Sequence, residues 1–233
     1  MTYIVSDLHG EYDLFMQLIN KIKFSSQDEM FICGDVIDKG PASIKLAKYI
    51  SKTPNIHCII GNHEHAFLKY YHSLLQETDI DYDIVLSKLQ NYFPGEDDCL
   101  DWEVMDWLET LPYYIEEPEF ICVHAGIPVT NDHTLIPLQN VSEEEFVFDR
   151  RFKDPSVYHT GKCVFFGHTQ TDCVCGESKI LGYLRDHNNS PKTIRDYFKI
   201  HLDTGTWSNG VLGCLCIDTL KAIYVTKRKE MRT

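Results

Sequence analysis

The sequence predicts an α/β fold that becomes α+β in its second half, with two packed mixed β-sheets flanked by helices. Three observations predict it. Apolar strand-like runs alternate with amphipathic helical runs through the first sixty residues, as in a parallel sheet. Five loops, each following such a run, deliver Asp, His or Asn, and open α/β folds place their chemistry at the carboxyl ends of strands. The last third returns to strand-like runs without helical signals.

Taken in order, Tyr3-Ile4-Val5 reads as a short buried strand, ended by the loop Ser6-Asp7-Leu8-His9-Gly10. Leu14, Phe15, Leu18, Ile19 and Ile22 then recur at helical spacing. Met30-Phe31-Ile32-Cys33 is the second strand, and the loop Gly34-Asp35-Val36-Ile37-Asp38-Lys39-Gly40 follows it. Pro41 suits the first turn of a helix carrying Ile44, Leu46, Ala47 and Ile50. The β-branched run Ile56 to Ile60 leads into Gly61-Asn62-His63-Glu64-His65. Residues 65 to about 118, rich in Tyr, Leu, Asp and Trp, break the rhythm and are expected to form a helical insertion capping the site.

Strand character returns at Phe120–Val123 and Cys163–Phe166, ahead of the loops Val123-His124-Ala125-Gly126 and Gly167-His168-Thr169. Between them Ser142, with Glu143 to Glu145 behind it, predicts a capped short helix. Four further strands, around Asp172–Cys175, Tyr197–Leu202, Val211–Ile217 and Ala222–Thr226, are expected to form a β meander. No linker or repeat divides the chain, so residues 1–233 are expected to be one domain.

The 233 residues carry a formal net charge of -13. Such a surface repels polyanions and argues against general nucleic-acid binding. It leaves room for a small anion drawn to a local cation. No apolar run approaches membrane-spanning length and no basic-apolar leader opens the chain. The nine cysteines, odd in number and mostly inside apolar runs, predict buried free thiols in a reducing cytoplasm. Cys173-Val174-Cys175 and Cys214-Leu215-Cys216 lack the C-x-x-C turns of a zinc site.

Asp, His and Asn are ligands of first-row divalent metals. Asp7 and His9, two apart, project to one side of an extended segment. Asp35 has two oxygens with which to bridge. With Asn62, His124 and His168 they suffice for a dinuclear centre, whose ions, roughly 3.5–4 Å apart, suit attack on a phosphoryl group. His63, beside Asn62 but pointing elsewhere, suits a general acid. Asp38 would orient its imidazole and raise its pKa. Arg150 and Arg151 suit phosphate binding, although a salt bridge to the acidic run before them competes. Taken singly, each Asp or His is as readily a turn or hydrogen-bonding residue; the coincidence of five loops shifts the balance. His57, His65, His72, His133, His159 and His187 read as structural. His201 reads as a strand polar residue or a support for the site.

Together these motifs resemble the calcineurin-like metallophosphoesterase superfamily. Within it they are most similar to the phosphoprotein phosphatases, the small bacterial and phage-type serine/threonine enzymes. Leu202-Asp203-Thr204-Gly205 resembles a segment of the same family, so the resemblance runs from Asp7 to Gly205. It implies an αβ-βα sandwich with two divalent metals: manganese in vitro, with iron, zinc, nickel or magnesium as alternatives. Asp7, His9 and Asp35 would hold one metal, and Asp35, Asn62, His124 and His168 the other. His63 would be the acid, assisted by Asp38. Typical members carry Arg where this chain has Lys39 and where it has Ile60. Lys39 keeps a charge but loses the planar fork, and Ile60 loses the contact. Arg150 or Arg151 would match the family's remaining phosphate arginine.

The resemblance implies a metal-dependent phosphomonoesterase acting on phosphoproteins, or on small phosphoesters, at serine and threonine or with dual specificity, and the cysteine usage places it in the cytoplasm. The runner-up is a symmetrical bis(5'-nucleosyl)-tetraphosphatase, against which Asp38 and Glu64 argue, because those enzymes tend to lack the first and to carry Asp at the second. From another class, the chain would be a catalytically weak metal-binding scaffold.

Overall fold

The computed structural model describes residues 1–76 and 80–227. Strands β1 (Thr2–Val5), β2 (Glu29–Ile32) and β3 (Ile56–Cys58) run parallel, joined by helices α1 (Tyr12–Ile22) and α2 (Ser43–Ser51). Helices α3 (Asn62–Leu74), α4 (Tyr82–Gln90) and α5 (Trp102–Thr110) follow, then strands β4 (Tyr114–Glu116) and β5 (Phe120–Val123). The second half contains α6 (Glu143–Phe148), β6 (Cys163–Phe166), α7 (Asp172–Cys175), β7 (Leu181–Leu184), β8 (Tyr197–His201), β9 (Val211–Cys216) and β10 (Lys221–Thr226).

These strands form two five-stranded mixed sheets, ordered β10-β9-β1-β2-β3 and β4-β5-β6-β8-β7. Each has three adjacent parallel strands completed by antiparallel ones. Side chains alternate across each strand, and the two apolar clusters follow that alternation. Ile4, Phe31, Phe120, Cys122, Phe165, Ile200 and Leu215 form a cluster drawn from strands of both sheets. Val5, Met30, Ile32, Ile121, Val123, Val164 and Phe166 pack instead with the helices. The parallel strands of both sheets deliver the motif loops from their carboxyl ends.

Several expectations are corrected. The last third is not one meander. β8 pairs with β6 and β7 in the second sheet, whereas the β9–β10 hairpin joins the first beside β1. Strand periodicity identifies strands but does not assign them to a sheet. Residues Asp172–Cys175 form a helical turn, with Cys175 N–H donating to Thr171 O at 2.9 Å, closed by Gly176 at φ 77°. Cys173 and Cys175 are therefore exposed, as is Cys99; the other six thiols are buried. The sequence pattern does not predict β7, nor β4 inside the stretch that reads as helical; both are only half-buried and lack a β-branched run. Helices α3 to α5 lie in that stretch. Their Phe67, Leu68, Tyr71, Val85, Leu89, Met105 and Leu108 belong to the main core. Among the described residues, no helix is long and apolar enough to cross a membrane.

Candidate active site

The motif loops leave their strands in strained backbone. Among the described residues, nine non-glycine residues have positive φ, and six of them are Asp7, His9, Asp35, Asp38, Lys39 and His168. Such geometry costs of order 1–3 kcal/mol per residue and persists where surroundings impose it. One agent that imposes it is Glu64, which is fully buried. Its carboxylate accepts from the N–H groups of Asp35 (2.9 Å), Val36 (2.8 Å), Ile37 (3.0 Å) and Gly61 (2.8 Å), tying two motif loops together. Burial, then the charge of Asp35, raises its pKa to about 7. The N–H groups of Ile37, Gly61 and Asp35 oppose that shift, and all four donors fit the ionised form. Gly61 is required here, since a Cβ would collide with the Asp35 side chain.

Six of the expected residues converge around Asp35. Its Oδ2 lies 3.5 Å from His9 Nε2, 3.4 Å from His124 Nε2 and 3.9 Å from His63 Nε2. Burial opposes ionisation of Asp35, but His124, His9 and His63 together bring its pKa to about 2. Asn62 Oδ1 is 2.9 Å from His124 Nε2 and 2.8 Å from His168 Nδ1. Asp7 accepts from the His168 N–H at 3.1 Å and from the Ser6 hydroxyl. Asp7, Asp35 and His124 bring potential ligand atoms within 4.8 Å of one another, as do His9, Asp35 and His63.

The donor set fits divalent metal. His124 Nδ1 donates to Cys33 O at 2.8 Å, which leaves Nε2 with a lone pair facing the amide oxygen of Asn62. Two acceptors face each other there, an arrangement a cation resolves. His168 Nε2 is buried without a hydrogen-bond partner among the described residues. Burial, then the charges of His124 and Arg150, lowers the His168 pKa to about 3, and burial lowers that of His9 to about 4. Both imidazoles are therefore neutral, the form that ligates. Burial, then Asp203 and Asp35, raises the carboxyl of Asp7. Burial also raises Asp203, to about 7. Three buried carboxylates repelling one another are a natural cation cradle.

His63 borders this set through Nε2 and is oriented from its other side, with Nδ1 2.6 Å from Asp38 Oδ2. Lys39 Nζ donates to His9 Nε2 at 3.1 Å. The two arginines diverge. Arg150 reaches the Thr169 hydroxyl at 3.5 Å, beside His168. Arg151 is not brought to the cluster; it pairs with Asp149 at 3.0 Å on the surface. Ile60 is buried. His201 is a strand residue that also supports the site. It stacks on Phe166 and donates from Nε2 to Thr169 O, next to His168. Glu64 as a clasp, Asp203 as a third carboxylate and Phe148, whose exposed ring lies 6.4 Å from that of His168, were not foreseen. Asp203 left a signal in the Leu202-Asp203-Thr204-Gly205 segment and Glu64 in the Gly61-Asn62-His63-Glu64 motif, though neither motif gave the role; Phe148 left none.

A calcineurin-like phosphoesterase family model matches residues 2–198. A symmetrical bis(5'-nucleosyl)-tetraphosphatase of Vibrio parahaemolyticus is 31% identical over 128 residues, which are 54% of this chain and 44% of that protein. One of Haemophilus ducreyi is 34% identical over 131 residues, covering 54% and 45%. The matched stretch is thus less than half the length of these relatives. A solved structure provisionally described as a diadenosine tetraphosphatase superposes with a TM-score of 0.69 at 19% identity, covering 98% of this chain and 94% of its own. That likeness is one of fold.

Proposed function

The chain belongs to the calcineurin-like phosphoesterase family, and from that premise we propose that it is a metal-dependent hydrolase of small phosphoric esters, with symmetrical dinucleoside tetraphosphates as its first substrate class. The observation that carries the hydrolase reading is the acceptor-facing-acceptor cluster of Asn62 and His124 around Asp35. The dinucleotide preference rests on the relatives of Vibrio and Haemophilus. It reverses the order read from sequence, which put phosphoproteins first.

In this reading Asp7, His9 and Asp35 hold one divalent ion, and Asp35, Asn62, His124 and His168 the second. Bound ions supply Lewis acidity toward a phosphoryl oxygen and lower the pKa of water. The protein's residues do the rest. Lys39 and Arg150 bind phosphate oxygens, while Arg151, engaged by Asp149, does not. Asp38 fixes the Nδ1 proton of His63, so that Nε2 serves the leaving oxygen. Water adds to phosphorus and gives up a proton to solvent, the bond to the leaving oxygen breaks, and that oxygen takes a proton from His63, which regains one from solvent. Cleavage at the centre of a tetraphosphate gives two nucleoside diphosphates.

The Asp38–His63 contact favours a second reading. A diphosphate leaves readily without protonation, whereas a serine or threonine alkoxide does not. A buttressed acid therefore supports phosphomonoesters, including phosphoproteins. The test is add-back of manganese, nickel, magnesium or zinc to chelator-stripped protein, with diadenosine tetraphosphate, p-nitrophenyl phosphate and phosphoserine and phosphotyrosine peptides in parallel. Conversion of the dinucleotide to ADP as the best reaction is expected. Cleavage of the monoesters with the dinucleotide intact would install the phosphatase reading. Bound metal without turnover anywhere would leave a binding scaffold.

A further inference from the structure

The loop carrying Asp38 and Lys39 runs directly into α2, yet α2 lacks a cap of its own. Its N-cap residue is Ala42, which has no side-chain acceptor. Ser43 does not cap the helix, because its hydroxyl accepts from the Asp38 N–H at 3.1 Å. The first-turn donors are met from 53 residues away. Glu96 Oε1 accepts from Ser43 N–H at 2.8 Å and Oε2 from Ile44 N–H at 2.9 Å. A bidentate carboxylate at a helix N-terminus satisfies orphan donors and complements the dipole.

Glu96 is itself anchored. It follows the turn at Pro94-Gly95, where Gly95 has φ 80°. Just before that turn, Phe93 packs on Phe67 of α3 at 5.2 Å between ring centroids. α3 is the helix that opens with Asn62 and His63. The segment from α4 to α5 thus touches both halves of the acid pair: α3 beneath His63, and the start of α2 behind Asp38. Asp38 and Lys39, at φ 72° and 67°, hold a conformation that is not self-sustaining.

We infer that Glu96 is a positioning residue that fixes the Asp38 loop through the first turn of α2, and so sets the Asp38–His63 contact. The catalytic part of this inference rests on the reading of His63 as the acid. Glu96→Ala is expected to speed hydrogen exchange in metal-free protein at the Ser43, Ile44 and Asp38 amides, by about fivefold for a lost cap. With metal, it is expected to lower kcat on an alkyl phosphate several-fold more than on p-nitrophenyl phosphate, whose leaving group needs no acid. KM, which Lys39 on the same loop also influences, should change less than kcat. Ala42→Ser in the same background supplies a local cap and should restore both protection and the rate ratio. Glu96→Gln, which keeps one acceptor, provides an intermediate case if the alanine variant folds poorly. Unchanged exchange at Asp38, an equal loss on both esters, or a ratio that stays low when protection returns would each overturn the inference. Wild-type protein inert toward both esters would sink the activity reading, while the exchange arm still reads the coupling.

Discussion

The Asp38 carboxylate lies 2.6 Å from Nδ1 of His63, and the other ring nitrogen faces Asp35 at 3.9 Å. Burial alone would lower the His63 pKa, but the bond to Asp38 and the charge of Asp35 raise it on balance. Asp38 is lowered by the same bond. The pair is therefore built to keep an imidazolium oriented. Asp38→Asn should reduce kcat on alkyl phosphates by about 10- to 100-fold, and His63→Ala by about 10²- to 10⁴-fold. Both variants should retain full metal content by atomic emission. Normal turnover of an alkyl phosphate by His63→Ala would remove it from the chemistry.

The five loops were legible because each pairs a glycine with Asp, His or Asn at the end of an apolar run, and local sequence carries that signal. The Asp38–His63 pair was legible from spacing and residue type. The role of Glu64 was not, because its partners are backbone N–H groups, which no side-chain pattern reveals. Arg150 and Arg151 were inseparable in sequence. Only the geometry shows Asp149 occupying Arg151 while Arg150 lies at Thr169. The placement of β8 and β9 in different sheets also escaped, since register across residues 202–210 is a long-range choice.

Glu64 supports a stability prediction. Removing its carboxylate leaves four buried N–H groups without an acceptor, each worth of order 1 kcal/mol or more. Glu64→Ala should therefore cost at least about 3 kcal/mol in urea unfolding. It should also abolish metal binding, because the loops bearing Asp35 and Asn62 lose their tie. Glu64→Gln keeps one oxygen but turns an amide N–H₂ toward backbone donors, and should lose stability to a similar degree. A loss below 1 kcal/mol in either variant would show that the loops hold their geometry without it.

Metal should stabilise the fold, because Asp7, Asp35 and Asp203 are buried together. A ligand at 100 times its Kd contributes about 2.7 kcal/mol. For a chain of this size that corresponds to a rise in Tm of roughly 5–10 °C. Scanning calorimetry of chelated protein, with and without manganese, measures it. Asp7→Asn removes one of three carboxyl groups whose ionisation burial and mutual repulsion oppose, so it should raise the Tm of the chelated protein while shrinking the gain from metal. An identical Tm with and without metal would contradict the cradle.

Low pH offers an independent test away from the cluster. His159 is 2% exposed, packed between Phe152 and Phe198, with neither ring nitrogen hydrogen-bonded among the described residues. Burial, then the charges of Arg185 and Lys199, lowers its pKa from 6.5 to about 4. The unfolded chain therefore binds the proton first as pH falls. Stability is fully present above about pH 6.5 and declines between there and about pH 4. The contribution of His159 to that decline is about 2 kcal/mol by pH 5. His9, His168 and His201 shift the same way, so the wild-type slope is a sum. The difference against His159→Phe isolates one residue. The variant should lose about 2 kcal/mol less than wild type between pH 7 and pH 5. Parallel curves would mean that the buried imidazole charges without penalty, through a partner gained when the loop around residue 159 opens.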